Sequence, residues 1–171
     1  MVESPYSLYK LIILFTLNKV PYPMKNTQLA DLFAHYDYTS YFHLQQVLSE
    51  MVDTELVYME SGNHTTLYSI APRGEETLSF FSGDISADIR AEITQYLKEH
   101  ASELRDEALT TADYIRTSNQ DYTVRCKAKE GNITLIDLQL SAPTEAAAQK
   151  LAENWKSRSA EVYEAIMNIL R

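Results

Sequence analysis

The chain has 171 residues, 45% of them hydrophobic, which suits one compact domain or two small ones. Its one cysteine, Cys126, excludes an intramolecular disulfide framework and argues against a cysteine-based zinc site. The formal net charge of -9 repels phosphate groups and acidic membranes at long range. No apolar run reaches the roughly 18 residues of a membrane span, and the N-terminus lacks a basic signal region, so a cytoplasmic protein is expected.

Three helices are predicted in the first fifty residues, because apolar side chains recur there every three or four positions. Pro5 is suited to the first position of a helix, and the prolines at 21 and 23 end that helix. The predicted N-terminal capping residues are Ser4 for the first helix, Asn26 or Thr27 for the second, and Thr39 or Ser40 for the third.

A β-hairpin is predicted next. The segments "LVYME" and "TTLYSI" are rich in β-branched and aromatic residues, and Gly62 and Asn63 between them suit a tight turn. A short helix over "APRGEETLSFF" follows. The order of three helices and a hairpin predicts a winged helix-turn-helix over residues 1–82. The alternative is a generic small α+β domain with the same elements arranged differently.

The second half, residues 83–171, is predicted to be an α-β-β-α dimerisation part with long helices. A single helix is expected over 84–118, with an apolar stripe too long for one small domain to cover. Two alternating strands surround a turn at 130–132, and Pro143 starts the last helix. The fold class is therefore α+β, with a homodimer expected through residues 84–118 and 143–171.

Four segments together resemble a bacterial protein family. They are "SPYSLYKLIILFTL", "YTSYFHLQQVLSEMV", "LYSIAPRGEETLSFF" and "SAPTEAAAQKLAENWKSRSAEVYEAIMNIL", and they are similar to domain-of-unknown-function family 4364. That family resembles the PadR-type winged-helix transcription regulators, and "YSIAPRGEETL" is similar to their passage from wing to helix. The resemblance implies a DNA-binding N-terminal domain and a C-terminal part that dimerises. A small-molecule effector of unknown identity is compatible with such a regulator.

The third helix carries the candidate DNA contacts. Successive residues are 100° apart, so the face opposite Leu44 holds mainly uncharged polar side chains near the helix start. That part of the second motif helix enters the major groove in helix-turn-helix proteins. Glutamine can bond adenine at two points, and serine or threonine can bond bases or phosphates. The candidate DNA-binding residues, including the wing tip, are Lys25, Thr39, Ser40, His43, Gln46, Asn63 and His64.

The charge of the first half opposes DNA binding. Residues 1–74 contain four basic and seven acidic side chains, whereas a typical DNA-binding protein makes about six to ten phosphate contacts. A homodimer would double the available contacts. Alternatively, the winged helix is an acidic protein-interaction module that does not bind DNA, with Phe42 on its contact surface. Burial of Phe42 under the second helix is the simpler expectation.

Other features predict neither a metal site nor an enzyme. The histidines are dispersed, and no phosphate loop or nucleophile motif occurs, so no metal or cofactor is expected. Cys126 is predicted to be a small core residue, and Trp155 an anchor in a core or interface. The basic residues Arg125, Lys127 and Lys129 share the other face of the Cys126 strand. They predict a solvated sheet face, with binding of an anionic ligand or nucleic acid as the alternative.

Overall fold

The computed structural model describes residues 5–171, so the predicted Ser4 cap lies outside the described residues. The chain is a mixed α+β protein with two antiparallel three-stranded sheets, which confirms the predicted α+β class. Its contacts divide it into two units. The first comprises the chain up to Ser61 together with Thr66–Leu104, and the second comprises Gly62–Thr65 and Arg105–Arg171.

Five α-helices and one sheet lie wholly within the described residues of the first unit. Its strands have the order β1-β3-β2, and Tyr68 of the central strand lies opposite Met24 on one side and Met59 on the other. The three predicted helices, the hairpin and the short helix after it are all confirmed. The elements are α1 (Pro5–Lys19), β1 (Met24–Lys25), α2 (Asn26–His35), α3 (Tyr41–Asp53), β2 (Val57–Ser61), β3 (Thr66–Ile70), α4 (Pro72–Phe81) and α5 (Ala87–Glu99).

The core of the first unit is built from the helical stripes that the sequence shows. All four apolar residues of the predicted α3 stripe are buried, because positions spaced by three and four residues share one helix face. Full burial stabilises the fold by about 1.5–3 kcal/mol for each such side chain. The fully buried stripe residues are Leu44, Val47, Leu48 and Met51.

Helix starts agree with the predictions in part. The Ser40 hydroxyl accepts a hydrogen bond from the His43 N–H at 3.3 Å, which confirms Ser40 as the cap of α3. The predicted cap of α2 at Asn26 or Thr27 is wrong, because that helix already begins at Asn26. There the Gln28 side-chain oxygen accepts from the N–H of Lys25, the residue before the helix, at 2.9 Å.

The turn between α2 and α3 is fixed by two tyrosines. Asp37 has a φ of 53°, a left-handed conformation that reverses the chain after α2. The Tyr38 hydroxyl donates to the Glu92 carboxylate at 2.6 Å, and the Tyr36 hydroxyl donates to the Glu92 carbonyl at 2.9 Å. Burial, followed by the hydrogen bond to Glu92, raises the pKa of Tyr38 and keeps its hydroxyl protonated.

The single helix predicted over 84–118 is wrong. The structure has a 3₁₀ turn (Ser82–Asp84), α5, a second helix α6 (Ala101–Leu109) and then a strand β4 (Thr110–Arg116). The segment "TTADYIR" is rich in β-branched and aromatic residues, and its backbone pairs with a neighbouring strand from Thr110 to Arg116. Apolar residues keep a spacing of three or four positions through Ala112, which already lies in the strand. Periodicity alone therefore predicted one continuous helix.

Part of the apolar stripe of residues 84–118 is covered within the chain itself. Four of its apolar residues belong to the core of the first unit, so the chain itself covers them. The two units divide between Leu104 and Arg105, whereas the sequence suggested a boundary at residue 82. These buried stripe residues are Ile85, Ile93, Leu97 and Leu104.

The second unit is a three-stranded sheet with one long helix packed on it. Its strands β4, β5 (Tyr122–Glu130) and β6 (Ile133–Ala142) lie in chain order, and α7 (Glu145–Leu170) contacts all three. The predicted α-β-β-α order is therefore corrected to three strands before the last helix. That helix begins two residues after Pro143, with the Thr144 hydroxyl accepting from the Ala147 N–H at 3.2 Å.

Trp155 anchors the core of the second unit. Its side chain is buried among small residues of α7 and of the sheet, and its Nε1–H donates to the Lys127 carbonyl at 3.1 Å. The turn between β5 and β6 contains Gly131 at a φ of 58°, a conformation that glycine adopts without strain. The predicted turn at 130–132 and the predicted core position of Cys126 are both confirmed.

Candidate nucleic-acid interface

Four of the predicted site residues lie together at the start of α3. Ser40, His43 and Gln46 are exposed, and Thr39 is half-buried. The Thr39 hydroxyl and Nδ1 of His43 are 3.4 Å apart. The same helix buries its apolar stripe on the opposite face. This burial fixes the rotation of α3 about its own axis and keeps its polar residues at the surface.

Phe42 is not buried under α2. Its side chain is 67% exposed and that of its neighbour Tyr41 is 63% exposed, so the expected placement of Phe42 is wrong. The reason is helical geometry, since residue 42 is about 200° around the helix from Leu44 when successive residues turn by 100°. The start of α3 therefore presents aromatic as well as polar groups to solvent.

A hydrogen-bonded bridge joins the starts of α2 and α3. The Asn26 side chain donates to the Tyr41 hydroxyl at 3.3 Å and accepts from the Gln45 amide at 3.0 Å. The sequence pattern did not predict these residues as part of the site. The available signal was the spacing of Tyr41 and Gln45, which puts both on one side of α3, but their partner on α2 is not visible in the sequence.

Cations are few in the described part of the first unit, and the amines of Lys10 and Lys19 contact other side chains. Lys10 is paired with Glu50 of α3 at 3.0 Å, and the Lys19 ammonium lies 5.2 Å from the centre of the Phe15 ring. The predicted site residue Lys25 is half-buried in β1, opposite Leu67. The positive charge for phosphate contacts is therefore limited.

Asn63 and His64 are not grouped with the α3 residues, because their contacts place them in the second unit. The Asn63 N–H donates to Asp113 Oδ2 at 2.6 Å, and the His64 N–H donates to Asp113 Oδ1 at 3.0 Å. The His64 ring stacks on Tyr114, with 4.0 Å between ring centres. The predicted wing-tip residues are thus engaged with a carboxylate.

The basic stripe of β5 faces a carboxylate of β6. Arg125 makes two hydrogen bonds to Asp137, at 2.8 and 3.1 Å, and these bonds hold the pKa of Asp137 below its usual value. Lys127 lies directly opposite Asp137 in the strand register. This pairing fits a solvated sheet face, because Arg125 already has a counter-charge on the neighbouring strand.

Cys126 lies on the other face of β5. Burial raises the pKa of its thiol to about 11, so the group stays protonated near neutral pH and is a poor nucleophile. Within residues 5–171, no group of three or more histidine, cysteine and acidic side chains could hold a metal ion. No described helix combines the length and apolar character that crossing a membrane requires.

The fold and the site define an α+β protein with a surface helix whose first turns carry uncharged polar side chains. The chain belongs to the family described as Domain of unknown function (DUF4364), which it matches over residues 9–170. The predicted similarity of the four segments to this family of unknown function is confirmed. No curated protein and no solved structure matches the chain.

Proposed function

We propose that the chain is a cytoplasmic bacterial transcription regulator that binds DNA through a winged helix-turn-helix and acts as a homodimer. The order of three helices followed by a hairpin, and the sheet order β1-β3-β2, support this class. The observation that carries the proposal is the exposure of Ser40, His43 and Gln46 on the second helix of the motif.

The start of α3 offers suitable chemistry for reading a duplex. Gln46 can bond an adenine edge at two points, and His43 can donate or accept through either ring nitrogen. The N-terminus of α3 is the positive end of the helix dipole, which favours a phosphate. The acidic residues Glu50 and Asp53 lie at the other end of the helix.

Binding of this kind is expected to be weak and sensitive to salt. Each neutralised phosphate contributes about 0.9 to the slope of log affinity against log salt concentration. Lys10 is already paired with Glu50, so the first unit has few cations for such contacts. Uncharged donors must therefore supply much of the interaction, and two copies of the chain are needed to reach useful affinity.

Replacing Gln46 with alanine is expected to weaken duplex binding at low salt by about 1–3 kcal/mol, or about 5- to 150-fold, because a two-point contact to a base is lost. Thr39→Ala should weaken it in the same direction. The measurement is retardation of genomic fragments in gels, followed by fluorescence anisotropy on a retarded fragment.

The matched control is Gln95→Ala. Gln95 is an exposed helical glutamine of the same unit that bonds Glu99 on its own helix, so its removal should leave duplex binding unchanged. Equal affinity of Gln46→Ala and the unmodified protein for a retarded duplex would contradict the assignment of α3 as the reading helix.

An acidic protein-interaction module is the second candidate function. The exposed rings of Tyr41 and Phe42 favour it, because aromatic side chains are enriched at protein interfaces. The net charge of the chain favours it as well. If no genomic fragment is retarded at low salt, this second function replaces the first.

The proposed dimer surface is the C-terminal half of α7. No described residue of α7 after Trp155 is fully buried, although the segment is amphipathic. Ile169 and Leu170 are 79% and 77% exposed, and half-buried Val162 and Ile166 precede them at helical spacing. A second copy of the chain would cover this stripe. In the segment 84–118, which was also expected at the interface, four apolar residues are buried in the core of the first unit, whereas Ile115 is 54% exposed. We therefore expect this segment to contribute less to the interface than α7.

The unmodified protein is expected to be a dimer at micromolar concentration by size-exclusion chromatography with light scattering. Ile169→Asp should shift it towards a monomer, because a carboxylate would be buried at the interface without a partner. Asn168→Asp adds the same charge at an exposed neighbouring position and should leave the dimer intact. A monomeric unmodified protein would overturn the proposed dimer.

A further inference from the structure

The Asp113 carboxylate contacts three nitrogen atoms of a four-residue loop, Gly62–Thr65, in the second unit. Asp113 accepts from the backbone N–H groups of Asn63 and His64, at 2.6 and 3.0 Å. Nδ1 of His64 lies 2.8 Å from the same carboxylate. The Asn63 side-chain amide also donates to the Tyr114 carbonyl at 3.3 Å. The loop thus surrounds the carboxylate oxygens with donors from its main chain and from one ring.

Successive backbone N–H groups that converge in a turn form a concave site for an anion. Backbone N–H groups donate to any anionic oxygen, so a phosphate oxygen can replace a carboxylate oxygen. Gly62 is what lets the anion come close, because a Cβ atom at this position would overlap Oδ2 of Asp113. The absence of a Cβ atom at Gly62 therefore makes room for the anion oxygen.

Asp113 also has a cation beside it on the sheet. It lies opposite Arg125 in the register of β4 and β5, on the same face of the sheet. Arg125 also donates to the Asp137 carboxylate at 2.8 Å. If the Asp113 carboxylate left the loop, it would therefore still have Arg125 as a positively charged neighbour.

We propose that loop 62–64 is an anion-binding site that Asp113 occupies in the free protein and that a backbone phosphate of nucleic acid occupies in the complex. Asp113 then acts as an internal competitor that lowers the affinity of the chain for DNA. This regulation rests on the proposed DNA-binding function, whereas the anion site itself can be tested without any DNA.

The first test titrates inorganic phosphate into the full chain and follows the amide signals of Asn63 and His64 by NMR. In Asp113→Ala these signals should shift and saturate, with a phosphate dissociation constant lower than in the unmodified protein by about tenfold or more, because hydrogen bonds to the internal carboxylate no longer compete. Asp113→Asn, which keeps the side-chain shape, should change in the same direction.

The control for charge is Glu153→Ala. Glu153 is exposed on α7 and its charge also acts on Tyr114, so this variant removes a nearby negative charge without altering the loop. Its phosphate response should match that of the unmodified protein. The proposal is overturned if Glu153→Ala enhances phosphate binding as much as Asp113→Ala does, or if Asp113→Ala shows no response at residues 63 and 64.

The second test locates the anion. In the double variant Gly62→Ala/Asp113→Ala, the new Cβ atom occupies the space of the anion oxygen, so the phosphate response of Asp113→Ala should be lost. Retention of that response in the double variant would place the phosphate elsewhere and overturn the proposed site.

Measurements of duplex binding by Asp113→Ala distinguish failure of the anion site from failure of the proposed DNA-binding function. Asp113→Ala should bind a retarded duplex several-fold more tightly at low salt. The slope of log affinity against log salt concentration should become steeper by about 0.9 for each loop that binds a phosphate. Phosphate binding at the loop with no retardation of any duplex would preserve the anion site and overturn the DNA-binding function. Duplex binding unaffected by Asp113→Ala would overturn the competitor role.

Discussion

Replacing Gly74 with alanine is expected to lower the free energy of unfolding by about 1–3 kcal/mol, because it adds a methyl group where the first unit has no space. A Cβ atom at Gly74 would lie 2.8 Å from Leu14 Cδ2 and 3.0 Å from Ile70 Cγ1, and it would overlap the Leu56 carbonyl oxygen. That carbonyl already accepts a hydrogen bond from the Ala71 N–H at 3.1 Å, so it cannot move away without weakening this bond.

Urea unfolding followed by circular dichroism measures this effect as a shift of the midpoint at an unchanged slope. Gly83→Ala is the matched control, because a Cβ atom at Gly83 would meet nothing within 4 Å. This control should change stability by no more than about 0.5 kcal/mol. Equal midpoints for the two variants would show that α4 does not pack closely against Leu56.

Replacing Trp155 with alanine is expected to cost about 3–5 kcal/mol, the range observed when a large buried aromatic side chain is truncated. Trp155 is the largest residue in the core of the second unit, where its neighbours are mostly small, so little can refill the cavity. The Lys127 carbonyl would also lose the hydrogen bond from Nε1–H.

Circular dichroism is again the measurement, because the chain has no other tryptophan to report by fluorescence. Trp155→Phe should lose less stability than Trp155→Ala, since it keeps an aromatic ring and gives up the hydrogen bond, which is worth about 1 kcal/mol. Asn154→Ala, at an exposed position of the same helix outside the proposed dimer surface, serves as the control. A loss for Trp155→Ala no larger than that of the control would contradict the core role of Trp155.

Local periodicity was sufficient to predict the helices of the first unit. The α3 stripe is buried as expected because helical spacing alone puts Leu44, Val47 and Leu48 on one face. The same reasoning placed the exposed polar side chains at the start of α3. These predictions needed only residues that are near one another in the chain.

The sequence was insufficient wherever a distant partner decides the structure. Residues 110–116 are a strand because they pair with β5, and helical spacing that continues through Ala112 cannot reveal this pairing. Gly62 and Asn63 predicted a turn, but Asp113 binds that turn from fifty positions away in the chain. The hydrogen bond from Asn26 to Tyr41 likewise joins two elements whose proximity no local pattern specifies.

The buried state of Cys126 has a practical consequence for work with this chain. Because its only sulfhydryl is enclosed and protonated near neutral pH, the folded protein offers no thiolate for disulfide exchange with a second molecule. A cysteine introduced at an exposed position, such as Asn168 or Gln46, would therefore be the one site that a maleimide dye or spin label modifies. Distances between labelled molecules can then be measured without first removing a native thiol.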